Sequence, residues 1–122
     1  MKKSTKGTTP AIRIALKENR LYINQATLFS LGNPQYLQFL YNDTRKLLLV
    51  SGENEITINS FEIPRRASHD ECYISRLALI EAFRLRMGWN KKENYRIVGE
   101  FLLDINMVLF DLSCAMIVRK TE

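Results

Sequence analysis

Few residues in this chain could do chemistry at a reacting centre. Its one histidine, His69, stands beside Asp70 in the polar run "PRRASHDE". An imidazole next to a carboxylate can activate a serine or cysteine nucleophile when all three groups converge. A single histidine among solvated loop residues reads as a loop residue. Cys72 and Cys114 each lie in an apolar, strand-like run. They read as small buried hydrophobes with reduced thiols, although a bridge between them stays open. No Cys/His set has zinc spacing. Asp104 and Asp111 flank a turn and a strand end, so solvation accounts for them better than paired acid–base work. Gly7, Gly32, Gly52, Gly88 and Gly99 are isolated, so no glycine-rich loop cradles a phosphate. The expectation is a protein that is not an enzyme, with no cofactor, metal or small-molecule substrate.

The basic residues point elsewhere. Eighteen Lys and Arg oppose 13 Asp and Glu, for a net charge of +5 and a pI near 9.4. That balance suits an anionic partner such as nucleic acid. Arg13, Lys17 and Arg20 fall on the outer face and turn of a first hairpin. Arg65, Arg66 and Arg76 occupy the corresponding region farther along. Arginine forks there could grip phosphates and reach guanine edges. Arg84, Arg86, Lys91 and Lys92 gather at the end of a helix, where the helix dipole already explains cations. Trp89 reads as packing, and Tyr22, Phe39 and Phe101 as core.

These side chains must be positioned by short strands. "AIRIALK" alternates, with Ile12, Ile14 and Leu16 on one face and Arg13, Ala15 and Lys17 on the other. "KENR" turns, and "LYI" returns as a hairpin partner. "QATLFSL" makes a short helix that Gly32 caps and Pro34 stops. "YLQFLYN" and "LLLVS" are strands around "NDTRK". "ITINSFEI" reads as a strand bulged near Asn59-Ser60, and "CYI" as a short strand. "SRLALIEAFRLRMG" is a helix with Ser75 as N-cap, Gly88 as C-cap and Leu77, Ile80, Phe83 and Met87 as its apolar stripe. "NYRIVGEFLLD" and "MVLFDLSCAMIV" are two long strands joined around Ile105-Asn106.

The order is therefore ββαββ, twice. "LYIN" matches "CYIS", "SLGN" matches "RMGW", Tyr36 matches Tyr95, and "KLLLVS" matches "VLFDLS". The expected fold is α+β, mostly β. Two ββαββ pseudo-repeats pack as an internal pseudo-dimer, a swapped-hairpin-like barrel with two helices. Residues 1–9 form a flexible basic arm, 10–52 the first unit and 56–118 the second, with "GENE" between them. Each half alone would bury little surface, so both share one core. No apolar run reaches the roughly 18 residues of a membrane span. The basic start lacks an apolar signal core, so the expected location is cytoplasmic.

"AIRIALKENRLYINQATLFSLGNPQYLQFLYNDTRKLLLV", with its Leu31-Gly32 helix stop, resembles the swapped-hairpin domain of AbrB-like transcription factors and MazE-like antitoxins. It differs in having Asn24 and Ser75 where the family has a proline, and in an uncharged first helix. The resemblance implies exchanged hairpins, dimer-like assembly and DNA bound through basic hairpin residues. Here these would be Arg13, Lys17 and Arg20, then Arg65, Arg66 and Arg76. The expected role is a small bacterial DNA-binding regulator or antitoxin-like factor. The alternative is a protein–protein interaction module, with a protein partner or a second copy covering exposed strand edges.

Overall fold

The computed structural model describes residues 9–63, 71–75 and 78–119. Its strands are β1 (Ala11–Ala15), β2 (Arg20–Asn24), β3 (Tyr36–Asn42), β4 (Leu47–Glu53), β5 (Ser60–Glu62), β6 (Glu71–Ser75), β7 (Asn94–Leu102), β8 (Met107–Asp111) and β9 (Met116–Val118). Helix α1 (Gln25–Ser30) follows β2, and α2 (Ala78–Met87) follows β6. A 3-10 turn spans Leu112–Cys114. The fold is mostly β.

The strands pair antiparallel in the order β5-β3-β4-β8-β7-β1-β2-β6, and β9 adds to β7. The ends of this path, β5 and β6, are consecutive in the chain, so the sheet curls into a nearly closed barrel. Alternation sends Ile12 and Ile14 of β1, Leu21 and Ile23 of β2, Leu48 and Val50 of β4, and Val108 and Phe110 of β8 into one buried core. Ile80 and Phe83 of α2 join them from one side of the helix. Removing each such side chain from water contributes about 1.5–3 kcal/mol. Gly99 lets two strands close on the centre: a Cβ there would lie 2.5 Å from Cε1 of Phe110.

Both helices end by the same device. Gly32 has φ +83 and the Asn33 N–H donates to the Leu28 carbonyl at 2.8 Å. Gly88 has φ +68 and the Trp89 N–H donates to the Arg84 carbonyl at 3.1 Å. This six-to-one closure satisfies a last-turn carbonyl, and the left-handed residue before it favours glycine. At the other end of α1, Asn24 Oδ1 accepts from the Thr27 N–H at 3.0 Å. The Ser75 cap adjoins residues 76–77, which lie outside the described residues, as does Leu77 of the expected stripe.

Several expected elements differ. "ITINSFEI" is a strand only at Ser60–Glu62. The Ser60 hydroxyl accepts from the Thr57 N–H at 2.8 Å, which turns the chain, and Ile56 and Ile58 are exposed. "GENE" is no clean boundary, because β4 runs through Glu53 to stay paired with β3. The last long strand is two strands. Asp111 accepts from the Ser113 N–H at 3.0 Å, the chain makes a 3-10 turn, and β9 turns back onto β7. Ala15, assigned to the solvent face, is buried between its register neighbours Arg20 and Asn94. Cys72 is buried, but Cys114 is exposed in that 3-10 turn.

Candidate nucleic-acid interface

The outer face of β7, β1, β2 and β6 carries one row of side chains in register. Arg96 stands opposite Arg13, Arg13 opposite Tyr22, and Tyr22 opposite Tyr73. Alternation explains the row: Ile12, Ile14, Leu21, Ile23 and Ile97 point inward, so these neighbours must point out.

The arginines are held against aromatic rings. The Arg13 guanidinium carbon lies 3.9 Å from the Tyr22 ring centroid, and that of Arg20 lies 4.2 Å from the Tyr73 centroid. Each contact contributes about 0.5–1 kcal/mol at an exposed site. The two rings are tilted at 53°, with centroids 5.4 Å apart. Arg20 Nη1 donates to Tyr22 Oη at 3.1 Å, and Tyr22 Oη donates to Glu18 Oε1 at 3.0 Å. The Tyr22 hydroxyl, and to a lesser degree the charges of Tyr73, Tyr22 and Glu18, raise the Arg20 pKa above its ordinary value. These contacts reduce the rotamer freedom that a surface arginine would lose on binding.

A shallow hollow of about 200 Å³ opens beside the row, lined by Ala11, Ile12, Arg13, Asn24 and Arg96. The Asn24 amide is already engaged: Oδ1 accepts from the Ala11 N–H at 3.1 Å, and Nδ2 donates to the Thr9 carbonyl at 2.9 Å. Asn24 therefore shapes the hollow and ties the N-terminal segment to it.

Of the expected binding residues, Arg13 and Arg20 share this face, and Lys17 is exposed in the adjoining turn. Arg65, Arg66 and Arg76 lie outside the described residues, as do His69 and residues 1–8 of the expected arm. Tyr22 is not core: it is half-buried on the outer face, because its neighbours Leu21 and Ile23 take the inward positions. Arg96, Tyr22 and Tyr73 are missing from the sequence-based set. Period-2 alternation in "NYRIVGEF" would have turned Arg96 outward. Only the strand pairing puts it next to Arg13.

The second basic cluster is arranged differently. Arg84 pairs with Glu81, and Arg86 pairs with Asp43 at 2.8 Å. Trp89 stacks on Tyr95 with centroids 4.5 Å apart, and Tyr95 is buried. Among the described residues, no three His, Cys, Asp or Glu side chains are grouped to hold a metal. No helix among them is long and apolar enough to cross a membrane. No protein-family model, curated protein or solved structure matches the chain.

Proposed function

We propose that the chain is a non-enzymatic DNA-binding protein of the transcription-regulator or antitoxin-like kind. It would neutralise phosphates with the arginines on the outer face of β7, β1, β2 and β6. One observation carries this reading: Arg13, Arg20 and Arg96 lie on a single sheet face, and tyrosine rings brace the first two. The hollow is lined by arginines from two strands, Arg13 and Arg96, and arginine forks suit phosphate oxygens. Lys17 would extend the positive field beyond the hairpin turn. Glu18, 3.8 Å from Arg20, offsets part of it.

Fluorescence anisotropy with labelled DNA across a salt series tests the reading. Affinity should fall steeply with salt as counterions are released. Replacing Arg13 and Arg20 by Ala should weaken binding about tenfold or more and flatten the salt slope by about 0.7–0.9 for each lost phosphate contact. No binding at low salt would remove the reading and return attention to a protein partner.

We also propose that the fold is a duplicated ββαββ unit packed as an internal pseudo-dimer with exchanged hairpins. Exchanging β1–β4 with β5–β8 turns the β1–β7 ladder into β5–β3, and β3–β4 into β7–β8. It returns β2–β6 and β4–β8 to themselves. All of these ladders are present. The first hairpin lies against β7 of the opposite unit, not against its own β3. Tyr22 pairs with Tyr73, its counterpart in the match of "LYIN" to "CYIS", so a pseudo-dyad would pass through that pair.

The turns that close β3–β4 and β7–β8 end at left-handed Lys46 (φ 60) and Asn106 (φ 56). Aligning these turns matches Leu48 with Val108 and Tyr36 with Arg96. That register replaces the matches of Leu48 with Phe110 and of Tyr36 with Tyr95. Since Tyr36 pairs with Glu62 as Arg96 pairs with Arg13, the counterpart of Arg13 is Glu62. The counterpart of Arg20, one residue before the tyrosine strand motif, is Glu71. In this reading the counterparts of Arg13, Arg20 and Arg96 are Glu62, Glu71 and Tyr36, so the pseudo-dyad does not repeat the basic face and the DNA contact would be one-sided.

A further inference from the structure

We infer that a second copy of the chain docks on the outer face of β3, β4, β8 and β7, forming a two-fold dimer with leucines at its centre. This inference stands apart from the DNA-binding reading. β4 and β8 lie halfway round the strand path from β2 and β6, so the side that carries Arg13 and Arg20 stays open.

Strand register assembles the face. Leu40 stands opposite Leu49, Leu49 opposite Leu109, and Leu109 opposite Glu100. Leu47 is two residues from Leu49 on β4. Met107 is two residues from Leu109 on β8 and stands opposite Leu102. All six apolar side chains therefore project from the same side of the sheet. The alternate residues Leu48, Val50, Val108 and Phe110 fill the core. A solvated face of an antiparallel sheet ordinarily alternates to polar residues, and this one does not. Leu40 is 45% exposed, and the other five are half-buried.

Charge at the two ends names the occupant. β4 and β8 run antiparallel, so the β3–β4 and β7–β8 turns close opposite ends of the face. The β3–β4 turn carries Arg45 and Lys46, and its Asp43 is already paired with Arg86. The β7–β8 turn carries Asp104 between exposed Leu103 and Ile105. Asp111, opposite Leu47, offsets one charge at the first end and leaves it positive; Glu53 adds to the negative end. Consider a two-fold axis lying in the face, across the line that joins the turns. It sets the β3–β4 turn of each copy over the β7–β8 turn of the other. Arg45 and Asp104 then face each other twice, because the interface is isologous. An axis along that line would set like charge on like. Complementary charge of this kind fixes orientation more than it adds affinity. The face is its own complement, whereas a foreign partner would need the same pattern reversed.

Area sets the strength. Four strands about 4.8 Å apart, with five residues each rising about 3.4 Å, cover roughly 14 Å in each direction, or about 20 Å with side chains. That is on the order of 400 Å² per copy and about 800 Å² for the pair before the turns are added, against about 1,200–2,000 Å² in stable interfaces. The dimer is therefore weak, with a dissociation constant on the order of 10–100 µM.

Sedimentation velocity of the whole chain, without DNA, from about 5 to 500 µM brackets that range. A monomer–dimer equilibrium is expected, and it should weaken as salt rises. Leu49→Thr with Leu109→Thr keeps β-branched strand formers and should raise the dissociation constant at least about tenfold. Arg45→Glu and Asp104→Lys, each alone, should weaken self-association about threefold or more at low salt, since each change reverses two contacts. An equimolar mixture of these two variants should restore association, because every reversed charge then meets its opposite. Both sites are exposed turn residues, so the mixture reads the interface even where the threonine variant fails to fold. A monomer at every concentration would overturn the inference and leave the face to a different protein. A dimer indifferent to the leucine changes would place the interface elsewhere and overturn it equally. Charge variants that fail to complement each other would overturn the opposed-turn arrangement.

Discussion

Gly99 and Tyr41 show how far single side chains matter here. A Cβ on Gly99 would meet Phe110 at 2.5 Å and Val108 at 2.9 Å, both fully buried. Neither ring nor methyl can retreat in a packed core. Gly99→Ala should therefore cost about 1–3 kcal/mol, read from urea unfolding. Tyr41 is the opposite case. Its ring meets Phe83 edge-on at 4.8 Å, but its buried hydroxyl makes no well-formed hydrogen bond to any of the described residues, Asp43 being the carboxylate nearby. Burial, then the Asp43 carboxylate, raises the Tyr41 pKa. Removing only the hydroxyl should be neutral or stabilising by up to about 1 kcal/mol, whereas Tyr41→Ala should cost about 3. Comparing the two variants in the same unfolding experiment separates ring packing from the stranded hydroxyl.

At the scale of elements, Asn24 joins three segments. It caps α1 at Thr27, accepts from Ala11 and holds the Thr9 carbonyl. Asn24→Ala should destabilise by about 1–2 kcal/mol, and hydrogen exchange at the Ala11 amide should rise with it. On α2, hydrogen bonding to Arg84, then its charge and that of Lys91, lowers the Glu81 pKa. A depressed carboxylate stabilises the fold above its unfolded pKa, near 4.3, and loses that contribution as pH falls through its folded value. Thermal unfolding should therefore show an acid-side loss, reduced in Glu81→Gln. The pair is solvent-exposed, so the difference should be small. The β1 and β2 hairpin, both helices and both glycine stops were legible, because each rests on near neighbours in the chain. The fragmentation of the last strand was not. A side-chain bond from Asp111 competes locally with continued pairing, and an apolar run conceals it.

For the whole molecule, the ladders predict mutual dependence of the halves. β1 needs β7, and β2 needs β6, so the edges of the first hairpin are covered only by the later half. Residues 1–54 expressed alone should lack a cooperative unfolding transition, and co-expression with 55–122 should restore one. Circular dichroism melts of the three samples check this. An independently cooperative first half would contradict the shared core.

Composition, alternation and glycine placement by themselves determined a mostly β chain, its element order and the outward position of Arg13 and Arg20. These depend on local backbone geometry, on the period-2 pleat and on which residues tolerate left-handed φ. Only the tertiary structure decided that Arg96 stands beside Arg13 and that Tyr22 faces Tyr73 instead of the core. Those partners lie on strands far apart in sequence, and their register is set where many strands bury their apolar faces against one core at once.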